Sequence, residues 1–172
     1  MQRRATFPAL ILIILAAIAA SIESSSATAP DHGPSAFGRG EFSFRNDLGT
    51  EQWSYSFEVV ANKNGHARGR AIFDILENST PTQVIVKINC IDVIDSSGFL
   101  SASITGTVLH SDNPEFPKRA TVLFGAVDSS GAPTPTSDII TRLFVFEGGD
   151  CHSGAFPLTF FLQNPDAIHI EP

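Results

Sequence analysis

The chain has 172 residues, of which 42% are hydrophobic and 17% are charged, and 11 Lys and Arg against 18 Asp and Glu give a formal net charge of −7. This length and composition predict one folded domain with a core of its own and argue against intrinsic disorder, which goes with low hydrophobic content. The acidic balance argues against nucleic acid as a partner, because binding to phosphates requires clustered positive charge.

The first 27 residues have the order of a cleavable secretory signal peptide. Two arginines within the first four residues precede an unbroken apolar run from Leu10 to Ala20, and small residues follow up to Ala27. Cleavage is expected after Ala27 or after Ala19. Glu23 interrupts the run before it reaches the roughly 20 apolar residues of a membrane-spanning helix, so no stable membrane span is expected after cleavage. The sequence therefore predicts a secreted or periplasmic protein.

Residues 28–40 are rich in Pro, Gly and small side chains, which predicts a flexible lead-in and assigns the folded domain to residues 41–172. A first strand is expected at Glu41–Arg45. The next segment, Trp53–Val59, alternates large apolar and polar side chains with a period of two, which is the pattern of a half-buried strand. Asn62-Lys63-Asn64-Gly65 then predicts a hairpin turn, because these residue types tolerate positive φ.

The same alternation continues along the rest of the chain, with turn residues at Asn78–Pro81 and Asp95–Gly98. It predicts further strands at Ala67–Leu76, Val84–Cys90, Leu100–Val108, Arg119–Asp128, Ile139–Glu147, Phe156–Gln163 and Ile168–Ile170. No segment keeps a helical period. About eight or nine strands joined by turns, without helical crossovers, predict an all-β domain that is either an antiparallel β-sandwich or an up-and-down β-barrel.

Cys90 and Cys151 are the only two cysteines of the chain. In an exported protein such a pair favours a disulfide, which would close a loop of about 62 residues and stabilise the fold by roughly 4 kcal/mol through the entropy of the unfolded chain. The alternative is a nucleophilic Cys151 with His152 as its base. Neighbouring side chains on a strand point to opposite faces, so the disulfide is the preferred prediction.

Acidic loops offer the oxygen ligands that calcium requires. Asp128 and Asp138 flank the Ser129–Ser137 loop and are the candidate calcium ligands, with a solvated acidic turn as the competing interpretation. The five histidines have no ligand-like spacing, so no zinc site and no cofactor is expected. Asn78-Ser79-Thr80 is an N-glycosylation motif, which matters only if the source is eukaryotic.

Several short motifs follow one another in the mature chain. They are a Gly-x-Gly-x-Phe start at Gly38–Phe42, an Asn-Gly hairpin at Asn64-Gly65, a strand that ends in Cys90, and a Phe/Val strand that runs into an acidic glycine loop. In this order the chain resembles a group of small exported all-β bacterial proteins of unknown function. The acidic loop, Asp128-Ser129-Ser130-Gly131, departs from the Asp-Asn-Gly-Glu-Gly type of that group. The resemblance implies secretion and an all-β fold, and it implies no activity.

No catalytic signature stands out in the sequence. The strained Gly-x-Ser-x-Gly turn of many hydrolases does not occur, and the carboxylate pair of a glycosidase cannot be chosen from the linear order. We therefore expect an exported, non-enzymatic β-domain with a binding or structural role. The sequence does not identify its partner, and the options are an extracellular or a small apolar ligand. One alternative is a barrel-type carrier of a small apolar ligand, suggested by the Phe-rich strands. A weaker alternative is a secreted hydrolase whose site is assembled from distant residues.

Overall fold

The computed structural model describes residues 32–46, 49–96, 98–132, 137–147, 151–153, 159–164 and 166–172. The predicted signal peptide, residues 1–27, and both of its cleavage positions lie outside these ranges. Within them, no helix has the length and apolar character needed to cross a membrane.

Ten β-strands and one short 3₁₀ turn make up the described chain. They are β1 (His32–Asn46), β2 (Gly49–Asn62), β3 (Ala67–Glu77), β4 (Thr80–Ser96), β5 (Phe99–Ser111), β6 (Thr121–Asp128), β7 (Ile139–Thr141), β8 (Phe144–Val145), the 3₁₀ turn (Cys151–Ser153), β9 (Phe160–Leu162) and β10 (Ile168–Glu171). The strands form one antiparallel sheet in the order β10-β1-β2-β3-β4-β5-β6-β7-β9, and β8 pairs with β6. The sheet curls into a half-barrel. The predicted all-β antiparallel fold is confirmed, with one sheet in place of the two of a sandwich.

Aromatic side chains fill the concave side of the sheet. Trp53, Phe73, Phe116 and Phe124 are all buried to 2% exposure or less. The rings of Phe73 and Phe124 meet edge to face with centroids 5.3 Å apart, and those of Trp53 and Phe116 do so at 6.1 Å. Edge-to-face contact places the positive edge of one ring against the negative face of the other. The core is therefore a network of packed rings.

β1 begins at His32, so residues 32–40 belong to the sheet and not to the flexible lead-in that the sequence predicts. The glycines that suggested a loop serve instead as space for aromatic rings of β2. A Cβ on Gly38 would lie 2.7 Å from the ring of Phe57, and one on Gly40 would lie 2.8 Å from the hydroxyl of Tyr55. A glycine in a strand is accommodated where a neighbouring aromatic side chain covers the exposed backbone.

The hairpin predicted at Asn62–Gly65 joins β2 to β3. Gly65 has a φ of 77°, and the Asn62 side-chain oxygen accepts hydrogen bonds from the backbone N–H groups of Asn64 and His66, at 2.9 and 3.0 Å. The side chain of Asn62 therefore holds the turn that its residue type predicts.

The single strand predicted at Ile139–Glu147 is divided into β7 and β8. At the break, the Thr141 hydroxyl accepts a hydrogen bond at 2.8 Å from the backbone N–H of Gly125 and donates one at 3.0 Å to the carbonyl of Arg142. The Thr141 side chain thus takes the place of a backbone carbonyl as the acceptor for β6, and the regular ladder of backbone hydrogen bonds stops there. The strand pattern of the sequence does not show that a side chain makes this bond.

Candidate functional site

A polar groove of about 780 Å³ crosses β1 to β4 on the outer face of the sheet. Its floor follows one cross-strand row, in which Glu41 pairs with Ser54, Ser54 with Asp74, and Asp74 with Gln83. Because side chains alternate between the two faces of a strand, the residues next to this row, such as Phe42 and Trp53, point into the core. The alternation that builds the core therefore also lines up polar groups outside it.

Hydrogen bonds within the row organise the groove. The Gln83 amide donates to Asp74 Oδ1 at 2.7 Å, and the Ser54 hydroxyl donates to Asp74 Oδ2 at 3.4 Å. Each carboxylate oxygen has two lone pairs, so Asp74 keeps acceptor capacity for a ligand after these bonds are made. Asp74 is the central acceptor of the groove.

The groove has a negative character. Among the described residues that line it, three are carboxylates, Glu41, Asp74 and Asp112, and none is Lys or Arg. Acceptors therefore outnumber cationic donors, and an anionic ligand would meet repulsion. The chemistry suits a ligand that donates hydrogen bonds and carries no negative charge.

A β-bulge sets the position of Cys90. The register between β4 and β5 shifts between Ile88 and Cys90, so Asn89 is an extra residue in β4. Beyond the bulge, Ile91 belongs to the core cluster and Cys90 does not. The Val84–Cys90 prediction had Cys90 on the same face as Ile88, and the bulge corrects this assignment, because one extra residue exchanges the two faces of a strand.

The two cysteines lie at disulfide distance, with Sγ atoms 1.94 Å and Cα atoms 5.7 Å apart. The bond joins β4 to the 3₁₀ turn, and the backbone N–H of Cys151 also donates to Cys90 Sγ at 3.3 Å. His152, next in the chain, places its Nδ1 3.2 Å from Asp92 Oδ1. The alternative in which Cys151 attacks a substrate with His152 as base is disfavoured, since a cysteine in a disulfide has no thiolate to offer.

The candidate calcium ligands, Asp128 and Asp138, lie together where β10 meets the segment between β6 and β7, a place that we call the seam. Asp138 accepts hydrogen bonds from the backbone N–H groups of Ile168 at 2.9 Å and Ser129 at 3.1 Å. Asp128 accepts one from the N–H of Ile170 at 3.0 Å. Both carboxylates are almost completely buried. A metal ion would have to compete with these backbone donors.

The pKa values of two groups, Asp128 in the seam and Tyr55 near it, are shifted. Burial favours the neutral form of Asp128, but hydrogen bonds from Ser130 and Ile170 and the nearby His169 outweigh burial and hold the pKa of this carboxyl below its usual value. Tyr55 donates to the Gln163 side chain at 3.1 Å, and burial together with the charge of Asp138 raises its pKa. Asp128 is therefore a carboxylate at neutral pH.

Asn78, the glycosylation candidate, lies in the two-residue turn between β3 and β4. It is exposed, and both Asn78 and Ser79 have positive φ, at 47° and 67°. Positive φ at both central residues is the geometry of a tight hairpin turn. The motif is accessible, as a modification site must be.

Sequence reasoning missed both the groove and the seam. For the groove a signal was present, because the polar residues of each predicted strand alternate with the apolar ones, but the register that aligns Glu41 with Ser54 and Asp74 cannot be read from one strand. For the seam the signal was weaker: two acidic residues ten positions apart in a loop resemble a solvated turn. Their burial depends on β10, which follows some 30 residues later.

Comparison of the chain with protein-family models, with curated proteins and with solved structures finds no match.

Proposed function

We propose that this protein is an exported, non-enzymatic β-domain that acts by binding a ligand in the polar groove. The predicted signal peptide and the cysteine pair at disulfide distance support export, since disulfides persist in oxidising compartments. The observation that carries the binding role is the groove itself, in which hydrogen bonds already orient Asp74. A preorganised polar site lowers the entropy lost when a ligand binds.

The ligand that fits this groove donates hydrogen bonds. Carboxylates and the free oxygen of the Gln83 amide are acceptors for hydroxyl or ammonium groups. A hydroxyl-rich ligand such as an oligosaccharide and a cationic amine share this chemistry. They differ in their dependence on salt, because only the amine relies on charge attraction that ions screen.

The aromatic packing of the concave side lends less support to the apolar carrier. A carrier holds its ligand in a cavity inside the barrel. Here Phe73 and Phe124 meet ring to ring at 5.3 Å within the core, and Trp53 packs against Phe116. The volume that an apolar ligand would need is taken by these side chains.

Titration of the ¹⁵N-labelled mature protein with cellotetraose and, separately, with spermidine tests the proposal. We expect shifts of the groove amides with one probe, and Asp74→Asn should weaken that binding by about tenfold, the cost of roughly one charge-assisted hydrogen bond. Glu58→Gln, which changes an exposed β2 carboxylate outside the groove, is the matched control and should bind like the parent chain.

The two probes separate the two ligand classes. Binding that persists at high salt identifies the hydroxyl-rich class, and binding that salt abolishes identifies the cationic class. Groove amides that move with neither probe would overturn the proposed site. Cleavage of the oligosaccharide by the protein, detected by mass spectrometry, would contradict the non-enzymatic role.

A further inference from the structure

A second depression lies on the outer face of the sheet, beside the groove and toward β10. Its volume is about 740 Å³, and Phe37 of β1 forms part of its wall. Phe37 is 55% exposed, although phenylalanine is among the residues most often buried. Polar side chains surround its ring, and they include Arg39, Ser56, Asn164 and Asp166. We call this place the aromatic depression.

The ring of Phe37 is held in place from β10. Phe37 pairs with His169 across β1 and β10, and the two ring centroids lie 5.1 Å apart. His169 is itself fixed, because its Nε2 lies 3.3 Å from Glu171 Oε1 and its Nδ1 lies 3.6 Å from Asp128 Oδ2. A side chain that is already positioned loses little entropy when a ligand packs on it. The exposed ring is therefore a preorganised apolar surface.

The aromatic depression and the groove share one face of the sheet. Phe37, Arg39 and Glu41 are alternate residues of β1, so their side chains point to the same side, and all three are exposed. The register between β1 and β2 is regular from Ser35 to Asn46, so no bulge interrupts this face. Asp74 lies four residues along and two strands across from Phe37, at a distance of about 16 Å. A disaccharide is too short to contact both places, and a tetrasaccharide is long enough.

Arg39 lies between the two places and distinguishes the two classes of ligand. The groove by itself suits hydroxyl or ammonium groups, because the charged side chains among its described lining residues are carboxylates. Arg39 carries a positive charge and has only N–H donors, so it repels an ammonium group and binds an acceptor. A sugar hydroxyl can accept from Arg39 and donate to Asp166, whereas an ammonium group can only donate. The combined surface therefore favours hydroxyl groups.

Phe37 adds an apolar contact that a sugar ring can use. The face of an aromatic ring carries partial negative charge, and the C–H groups on one side of a pyranose ring carry partial positive charge. A pyranose can therefore stack on Phe37 through its C–H groups, while its hydroxyls lie at the edge of the ring and reach the surrounding polar side chains.

We propose that the aromatic depression is a subsite that extends the groove, and that the ligand of this extended site is a neutral oligosaccharide. Hydroxyl groups at one end of the ligand donate to Asp74 in the groove, and a sugar ring at the other end stacks on Phe37. This inference rests on the proposed function of the groove and names the class of its ligand.

Titration of the ¹⁵N-labelled mature protein with cellobiose and with cellotetraose tests the proposal. We expect cellotetraose to shift the amides of Gly38 and Arg39 as well as those of the groove, and to bind about tenfold more tightly than cellobiose. Phe37→Ala should weaken the binding of cellotetraose by about tenfold and leave that of cellobiose unchanged. Phe37→Tyr, which keeps the ring, should retain the tighter binding of cellotetraose.

Phe99→Ala is the matched control, because Phe99 is also an exposed phenylalanine of the sheet but lines neither the groove nor the aromatic depression. It should bind both sugars like the parent chain. Glu58→Gln keeps the apolar stem and one acceptor oxygen at the rim of the depression, so it should do the same. The dispersion of the amide spectrum verifies that each variant is folded.

The possible outcomes separate this inference from the proposed function. Groove shifts with an affinity for cellotetraose that Phe37→Ala leaves unchanged would overturn the aromatic subsite while the groove stands. Groove shifts with spermidine in place of the sugars would overturn the neutral oligosaccharide and also leave the groove standing. Amides that move with none of these probes would overturn both proposals.

Discussion

The carboxylate of Asp138 accepts a hydrogen bond from the backbone N–H of Ile168 at 2.9 Å, across 30 residues of chain. Asp128 does the same for Ile170 at 3.0 Å. On its other side β10 pairs with β1 through an ordinary antiparallel ladder. The last strand is thus held by backbone bonds at one edge and by two buried side chains at the other.

The first prediction concerns Asp138. Asp138→Asn replaces one carboxylate oxygen by an NH₂ group, which cannot accept a hydrogen bond. Either the backbone N–H of Ile168 or that of Ser129 therefore loses its buried acceptor. We expect a loss of about 2–4 kcal/mol in the free energy of unfolding, measured by urea denaturation. Glu147→Gln, at an exposed position, is the control and should change stability little. Equal stability of the two variants would contradict the structural role of Asp138.

The second prediction concerns the stability of the protein at low pH. The pKa of Asp128 is lower in the folded protein than in the unfolded chain, so the unfolded chain binds the proton more readily. This carboxylate therefore contributes stability above its unfolded pKa of about 3.9, and the contribution is lost as pH falls through the folded pKa. Urea unfolding between pH 7 and pH 3 should show a steeper loss of stability for the parent chain than for Asp128→Asn. Parallel curves would show that Asp128 is not the responsible group.

The third prediction concerns the disulfide. Cys90→Ser combined with Cys151→Ser removes a crosslink between residues 61 positions apart. The entropy of the unfolded chain then rises, and stability should fall by roughly 4 kcal/mol. Thermal unfolding of the double variant should match that of the parent chain under reducing, metal-free conditions. A parent chain that is unaffected by reductant would contradict a stabilising disulfide.

The fourth prediction concerns Gly38. A methyl group at this position would collide with the ring of Phe57, so Gly38→Ala should destabilise the fold by about 1–3 kcal/mol through overpacking. Phe57→Leu in the same chain makes room for the methyl group. The double variant should therefore lose less stability than the sum of the two single variants. Additive losses, measured by urea denaturation, would show that Gly38 and Phe57 are not in steric contact.

The sequence predicted those parts of the fold whose cause is local. The alternation of apolar and polar residues in Trp53–Val59 identified part of strand β2, and Asn64-Gly65 identified the hairpin after it. Both signals can be read from neighbouring residues alone, because alternation and tolerance of positive φ are properties of the local sequence. The sequence did not predict that residues 32–40 form a strand, since the role of Gly38 depends on the ring of Phe57 on another strand. The bulge at Asn89 was missed for a similar reason: the register shift exists only relative to β5.

Among the candidate sites, too, some could be predicted from the sequence and others could not. Two cysteines in a chain with a predicted signal peptide predicted the pairing that the structure places at disulfide distance. The groove requires the register of four strands, and the seam requires a hydrogen bond between Asp138 and a residue 30 positions later. Such long-range pairs are set by how the sheet curls, which no single segment of sequence specifies.

The seam also protects the sheet from association with other chains. An edge strand with a free row of N–H groups can recruit a strand of a neighbouring molecule and begin aggregation. On β10 the N–H groups of Ile168 and Ile170, which face away from β1, are already bound by Asp138 and Asp128. The charged carboxylates that complete the fold thus also block β10 as a template for a foreign strand.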